Sequence, residues 1–168
     1  VINAGDGGHQ HPTQTLTDLL TILARKGRLS HLRIGFCGDL KYGRTVHSLM
    51  KLLSLADNIT FKMFSPPSLE LPVEVEKYAR ERGHRVIDCD AVPEALVGAD
   101  VVYATRVQRE RMTEEVLVTA NVSGNLLNKR LLAEADASDI IIMHPLPRDS
   151  RMDSFDLSSD VDDLPGLS

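Results

Sequence analysis

The apolar positions of this chain fall into short continuous runs, separated by stretches in which they recur at helical spacing. Thr15, Leu16, Leu19, Leu20, Ile22 and Leu23 follow Pro12 at intervals that predict a helix opening at that proline and stopping at Gly27. The apolar run 32–37 predicts a strand, and Leu49, Met50, Leu52 and Leu53 predict a helix over 43–56. The alternating, aromatic stretch 59–64 reads as a strand stopped by Ser65-Pro66-Pro67. The rhythm then repeats: helix 72–82 ended by Gly83, strand 85–89, short helix 92–97, strand 100–104, a helical stretch near 128–135, and strand 139–143, expected to be the most buried. Strands alternating with helices, several of them apolar throughout, imply an α/β fold. The expectation is one Rossmann-like, doubly wound domain, its mostly parallel sheet covered by helices on both faces. The predicted organisation is a loop over 1–11 entering from an absent amino-terminal domain, the α/β domain over 12–148, and an acidic, Ser-rich mobile tail over 149–168.

Composition narrows the function classes. A chain of 168 residues suits one domain, and a formal net charge of -5 argues against a general nucleic-acid binder. No apolar run is long enough to span a bilayer as a helix, so no membrane partner is expected. Cys37 and Cys89 both lie in apolar runs and read as buried free thiols, which points to a reducing, cytoplasmic compartment. The chain opens without methionine and closes on the turn Leu164-Pro165-Gly166-Leu167-Ser168, the expected look of a piece of something larger.

The chemistry concentrates in loops that follow strands. Asp39-Leu40-Lys41-Tyr42-Gly43-Arg44 places a planar cation at the start of a helix, on the carboxyl edge of the sheet, where open α/β folds bind ligands. Thr105-Arg106-Val107-Gln108-Arg109-Glu110-Arg111 adds three arginines, and His144-Pro145-Leu146-Pro147-Arg148 a backbone stiffened by two prolines. In a parallel sheet all three loops share one edge. Two arginines from separate loops can each grip a carboxylate in a bidentate fork, so a dicarboxylate fits. Any one such loop reads more naturally as a solvated surface; three converging loops do not. His11 and Gln14, at the opening of the first helix, could both donate hydrogen bonds to one carbonyl or amide. His31, His47 and His84 carry no functional expectation.

Two other chemistries fit less well. The pair His9 and His11 lacks a third ligand at suitable spacing, so no metal is expected. The stretch Gly38 to Thr45 nearly matches a phosphate-cradling loop, but Arg44 replaces its lysine, and the strand at 140–143 ends in His144 where a magnesium-binding acid would stand. The dinucleotide fingerprint is absent as well.

Taken together, Asn3-Ala4-Gly5-Asp6-Gly7 running into His11-Pro12-Thr13-Gln14, the stretch Gly38 to Ser48, Thr105 to Arg111 and His144 to Arg148 resemble the aspartate carbamoyltransferase family, in the family's order. The sister ornithine enzymes differ in the middle loops and carry cysteine where Pro145 stands. The resemblance implies transfer of the carbamoyl group of carbamoyl phosphate to the α-amine of L-aspartate, without metal or organic cofactor. It implies that this chain is the aspartate-binding half, inactive alone, with the carbamoyl-phosphate domain and the closing helix absent. By position, His11 resembles the catalytic donor to the carbamoyl oxygen, and Gln14 with the carbonyls of Leu146 and Pro147 the contacts to the carbamoyl amide. Arg44, Arg106 and Gln108 resemble the aspartate clamp, Glu110 a brace for Arg106, and Lys41 and Arg111 supporting residues. Arg148-Asp149-Ser150-Arg151 departs from the family's usual Arg-Val-Asp/Asn-Glu. A homotrimer is implied for the complete enzyme, with a regulatory chain or fused partner possible. The competing expectation is a non-catalytic anion- or partner-binding module that keeps the fold.

Overall fold

The computed structural model describes residues 3, 5, 10–116, 126–135, 140–149 and 156–164. Most of the 1–11 loop, the residue opening the predicted last strand and much of the predicted tail lie outside these, as does the side chain of Glu110. Five strands form one sheet: β1 Arg33–Gly38, β2 Thr60–Phe64, β3 Arg85–Asp88, β4 Val101–Thr105 and β5 Ile141–Met143. Their order is β3-β2-β1-β4-β5, and every pairing is parallel. The chain winds outward from β1 to β3, then returns to lay β4 on the other side of β1. That reversal opens a crevice at the carboxyl ends of β1 and β4.

The period-two alternation of strand side chains sorts the core onto two faces. Ile34 and Phe36 of β1, Val101 and Tyr103 of β4, and Ile141 and Met143 of β5 belong to one buried cluster. Its cover is α1 Pro12–Lys26, α2 Arg44–Leu53 and α3 Val73–Arg80, which pack in sequence. Phe36 stacks on Phe61 and meets Tyr103 edge-on, at centroid distances of 6.1 and 5.9 Å. Cys37, Val102, Ala104 and Ile142 belong to the other cluster, under α4 Val92–Leu96 and α5 Lys129–Glu134. α4 lies so close to the sheet that a Cβ on Gly35 would sit 2.8 Å from the Ala95 carbonyl oxygen.

The predicted elements are present with boundaries shifted by a few residues, and α2 stops at Leu53. One expectation needs correction. β5 is buried but stands at the sheet's edge among the described residues, while all five residues of β4 are buried. Part of the predicted tail, residues 156–164, packs against the domain. Leu157 and Val161 enter the second core cluster, and the Leu126 and Ser158 N–H groups donate to the Asp156 and Leu127 carbonyls. Asp160, Asp162 and Asp163 occupy outward positions, which is why the stretch reads as solvated. Cys37 is buried and unpaired, its thiol pushed up to about 12 by burial; Cys89 is half-buried.

Candidate active site at the carboxyl edge

His11 starts the site. It caps α1, its Nδ1 accepting from the Gln14 N–H and contacting the Thr13 hydroxyl, both at 3.4 Å. A neutral ring whose Nδ1 accepts carries its proton on Nε2, the tautomer that can donate onward. Ser48 of α2 ties this segment down: its hydroxyl accepts from the His11 N–H at 2.9 Å and lies 2.8 Å from Gln10 Oε1. The opening of α1 is thereby fixed beside the opening of α2, whose first residue is Arg44.

The turn between β1 and α2 is organised by Asp39, which is fully buried. Its Oδ1 accepts from the Tyr42 N–H at 2.9 Å, and its Oδ2 from the Gln108 N–H at 3.1 Å. One carboxylate thus joins the two arginine-bearing loops. Gln108 returns the link by donating from Nε2 to the Tyr42 carbonyl at 2.9 Å. Burial pushes the Asp39 carboxyl above its ordinary range, against the N–H donors and nearby His47. His47 holds the same turn from below, its Nε2 2.7 Å from the Leu40 carbonyl oxygen. Gly38 makes the approach possible. It has φ of +118° and pairs with Thr105, and a Cβ there would collide with the Thr105 carbonyl.

The third loop follows β5. The Leu146–Pro147 peptide is cis, and Leu146 has φ of 50° with its side chain exposed. His144 Nδ1 accepts from the Leu146 N–H at 2.9 Å. Its Nε2 lies 2.9 Å from buried Asp156, close but not aligned as a hydrogen bond. Asp156 also accepts from the Asp149 N–H, and Arg148 forks onto Asp162 at 2.6 and 2.9 Å, so residues 156–162 brace this loop from outside.

These parts enclose a cavity of about 210 Å³. His11, Arg44, Arg106, Gln108, Arg111, Leu146 and Pro147 line it, and no acidic residue occurs among the described residues lining it. The helix opening at Arg44 adds the positive end of its dipole. Gln14 lines an adjoining cavity of about 550 Å³ that shares His144, Pro145 and Leu146 with the first. Lys41 does not reach the cavity; it is exposed, with Nζ 5.5 Å from the Tyr42 ring centroid. Asp39, Ser48 and Asp156 were not anticipated. Only Asp39 left a sequence signal, an acid placed between a strand-ending glycine and a helix start. Among the described residues, no group of three or more His, Cys, Asp or Glu could hold a metal ion, and no helix is long and apolar enough to cross a membrane.

Fold and cavity together define a doubly wound α/β domain with an arginine-lined cavity at its switch point. Residues 30–167 match the family model described as aspartate/ornithine carbamoyltransferase, Asp/Orn binding domain, and the chain belongs to that family. It is 46% identical over 171 residues to the aspartate carbamoyltransferase catalytic subunit of Dichelobacter nodosus, covering 99% of this chain and 49% of that protein. The Clostridium kluyveri catalytic subunit is 46% identical over 160 residues, with 95% and 52% covered. The chain therefore spans about half the length of the curated relatives it matches. Among solved structures, it superposes on the catalytic subunit of M. jannaschii aspartate transcarbamoylase with a TM-score of 0.79 at 39% identity, covering 98% of this chain and 51% of that one. It superposes on Trypanosoma cruzi aspartate transcarbamoylase in complex with carbamoyl phosphate and aspartate with a TM-score of 0.83 at 34% identity, covering 98% and 53%.

Proposed function

We propose that this domain is the aspartate-binding half of an aspartate carbamoyltransferase. The observation that carries the reading is the convergence of Arg44, Arg106 and Arg111 from two loops, with His11, around one cavity without an acidic lining residue among those described. Arg44 and Arg106 grip the two carboxylates of L-aspartate, Gln108 adds a contact, and Arg111 and Lys41 support domain closure. The cationic lining disfavours the positive side chain of ornithine.

In the reaction, the α-amine of aspartate attacks the carbamoyl carbon, and the C–O bond to phosphate breaks. Phosphate leaves with the bonding pair, and the amine gives up one proton to it. His11 Nε2–H donates to the carbamoyl oxygen as negative charge develops there. Gln14 and the carbonyls of Leu146 and Pro147 hold the carbamoyl nitrogen. Positioning two substrates and stabilising one oxyanion supply most of the rate, without metal or organic cofactor. The complete enzyme is expected to be a cytoplasmic homotrimer, with a regulatory or fused partner possible.

The test is carbamoyl-aspartate formation by this chain alone, then with the amino-terminal half of the Dichelobacter nodosus catalytic subunit added. Little turnover alone and activity on mixing is the expected result. L-Aspartate binding with no turnover in either mixture or fusion would favour a non-catalytic anion-binding module. Absence of both binding and turnover in a folded chain would overturn the reading.

A further inference from the structure

Beneath the cavity, α1 and the sheet are joined by a buried polar trio that the reaction does not use directly. Asp18, 4% exposed, accepts from Gln14 Nε2 at 2.9 Å through Oδ1 and from the Tyr103 hydroxyl at 2.8 Å through Oδ2. Tyr103 itself is fully buried in β4. An ionised carboxylate only accepts, so the Gln14 atom facing it is the NH₂ group; the reverse orientation would set two oxygens against each other. Gln14 therefore turns its Oε1 the other way. Its side chain borders the adjoining cavity, which meets the first at His144, Pro145 and Leu146. The outward oxygen is a hydrogen-bond acceptor bordering the cavity that Leu146 also lines; with the Leu146 and Pro147 carbonyls assigned to the carbamoyl nitrogen above, it makes a set of acceptors. A wall of acceptors recognises NH₂ and offers nothing to a methyl group.

We propose that Asp18, anchored by Tyr103, is a positioning residue that fixes the Gln14 amide with its oxygen outward, and so selects carbamoyl phosphate over its methyl isostere, acetyl phosphate. This rests on the carbamoyltransferase reading above and names the device that enforces its donor specificity. Burial raises the Asp18 carboxyl from its ordinary range, against the hydrogen bonds from Gln14 and Tyr103 and nearby His11, as expected for a charge held inside the fold.

The informative variant is Asp18→Asn, which keeps the shape. Its oxygen takes the Tyr103 hydroxyl, its NH₂ turns toward Gln14, and the Gln14 amide inverts. In the chain joined to the amino-terminal half of the Dichelobacter nodosus relative, the KM for carbamoyl phosphate is compared with the inhibition constant of acetyl phosphate. Asp18→Asn is expected to reduce the preference for carbamoyl phosphate by about threefold to tenfold, with the KM for L-aspartate unchanged. Gln14→Ala should give a similar loss, and the double variant no further one. An unchanged preference in a protein that uses carbamoyl phosphate overturns the inference, as does equal weakening of both ligands. If the wild-type protein does not use carbamoyl phosphate, the functional reading fails separately. The orientation is then read from the Gln14 side-chain amide signals of the ¹⁵N-labelled chain. A shift in Asp18→Asn supports it, and identical signals sink it.

Discussion

Asp39→Asn tests the claim that one buried carboxylate sets the spacing of the two arginine loops. Asparagine has nearly the same shape but one acceptor oxygen where two are needed. If Oδ1 keeps the Tyr42 N–H, the new NH₂ faces the Gln108 N–H, donor against donor, in a fully buried position. One unsatisfied buried donor costs about 1–3 kcal/mol. Removing a buried charge offsets part of this, since burial already pushes the carboxyl upward. The net expectation is a loss of about 1–2 kcal/mol at neutral pH, read from urea denaturation followed by circular dichroism. The pH dependence carries a second signature. With its folded value raised, Asp39 binds its proton more tightly in the native state than in the unfolded chain. Wild-type stability therefore falls as pH rises from the ordinary carboxyl value through the raised one, while asparagine has no such window. The gap between the two proteins should be widest on the acid side and narrow as pH rises. L-Aspartate binding should weaken together with stability. Equal midpoints across the pH series with unchanged aspartate binding would show that the carboxylate does not hold the loops.

Three further outcomes are expected. Arg106→Ala in the reconstituted enzyme should weaken aspartate use by on the order of 2–5 kcal/mol while sparing carbamoyl phosphate, checked by the two KM values. Gly38→Ala should destabilise the chain by roughly 2 kcal/mol or more, from its positive φ and its collision with Thr105, measured by urea denaturation. The Arg148 hydrogen bond holds the Asp162 carboxyl below its usual range; its stabilisation is present above the ordinary carboxyl value and lost as pH falls through the lowered one. Asp162→Asn should remove that part of the acid sensitivity of the urea midpoint.

β1, β4 and β5 were legible because their residues bury on both faces, which leaves apolar runs such as 32–37 with no competing pattern, while β2 showed itself by its alternation. The loops were legible because Arg106 and His144 each follow a strand directly and Arg44 opens the helix after β1, and a parallel sheet sends all such ends to one side. The bracing was not legible. Asp39, Asp18 and Asp156 look like solvated acids until their partners, 69, 85 or 12 positions away, are known to face them. Segment 156–161 hid for a related reason: two buried apolar residues four apart, amid aspartates and serines, are too few to set a period.

The cavity draws its lining from residues 11 to 147, by way of two arginine loops and an edge strand. No short stretch of the chain contains it, and it exists only when the β1–β4 and β4–β5 pairings have closed and α1 has docked. A ligand held there is therefore coupled to the folding of the whole domain. At a hundredfold excess over its Kd it would add about 2.7 kcal/mol to the unfolding free energy. Protection from denaturant or protease by L-aspartate then becomes an assay of the entire topology, available before any turnover can be measured.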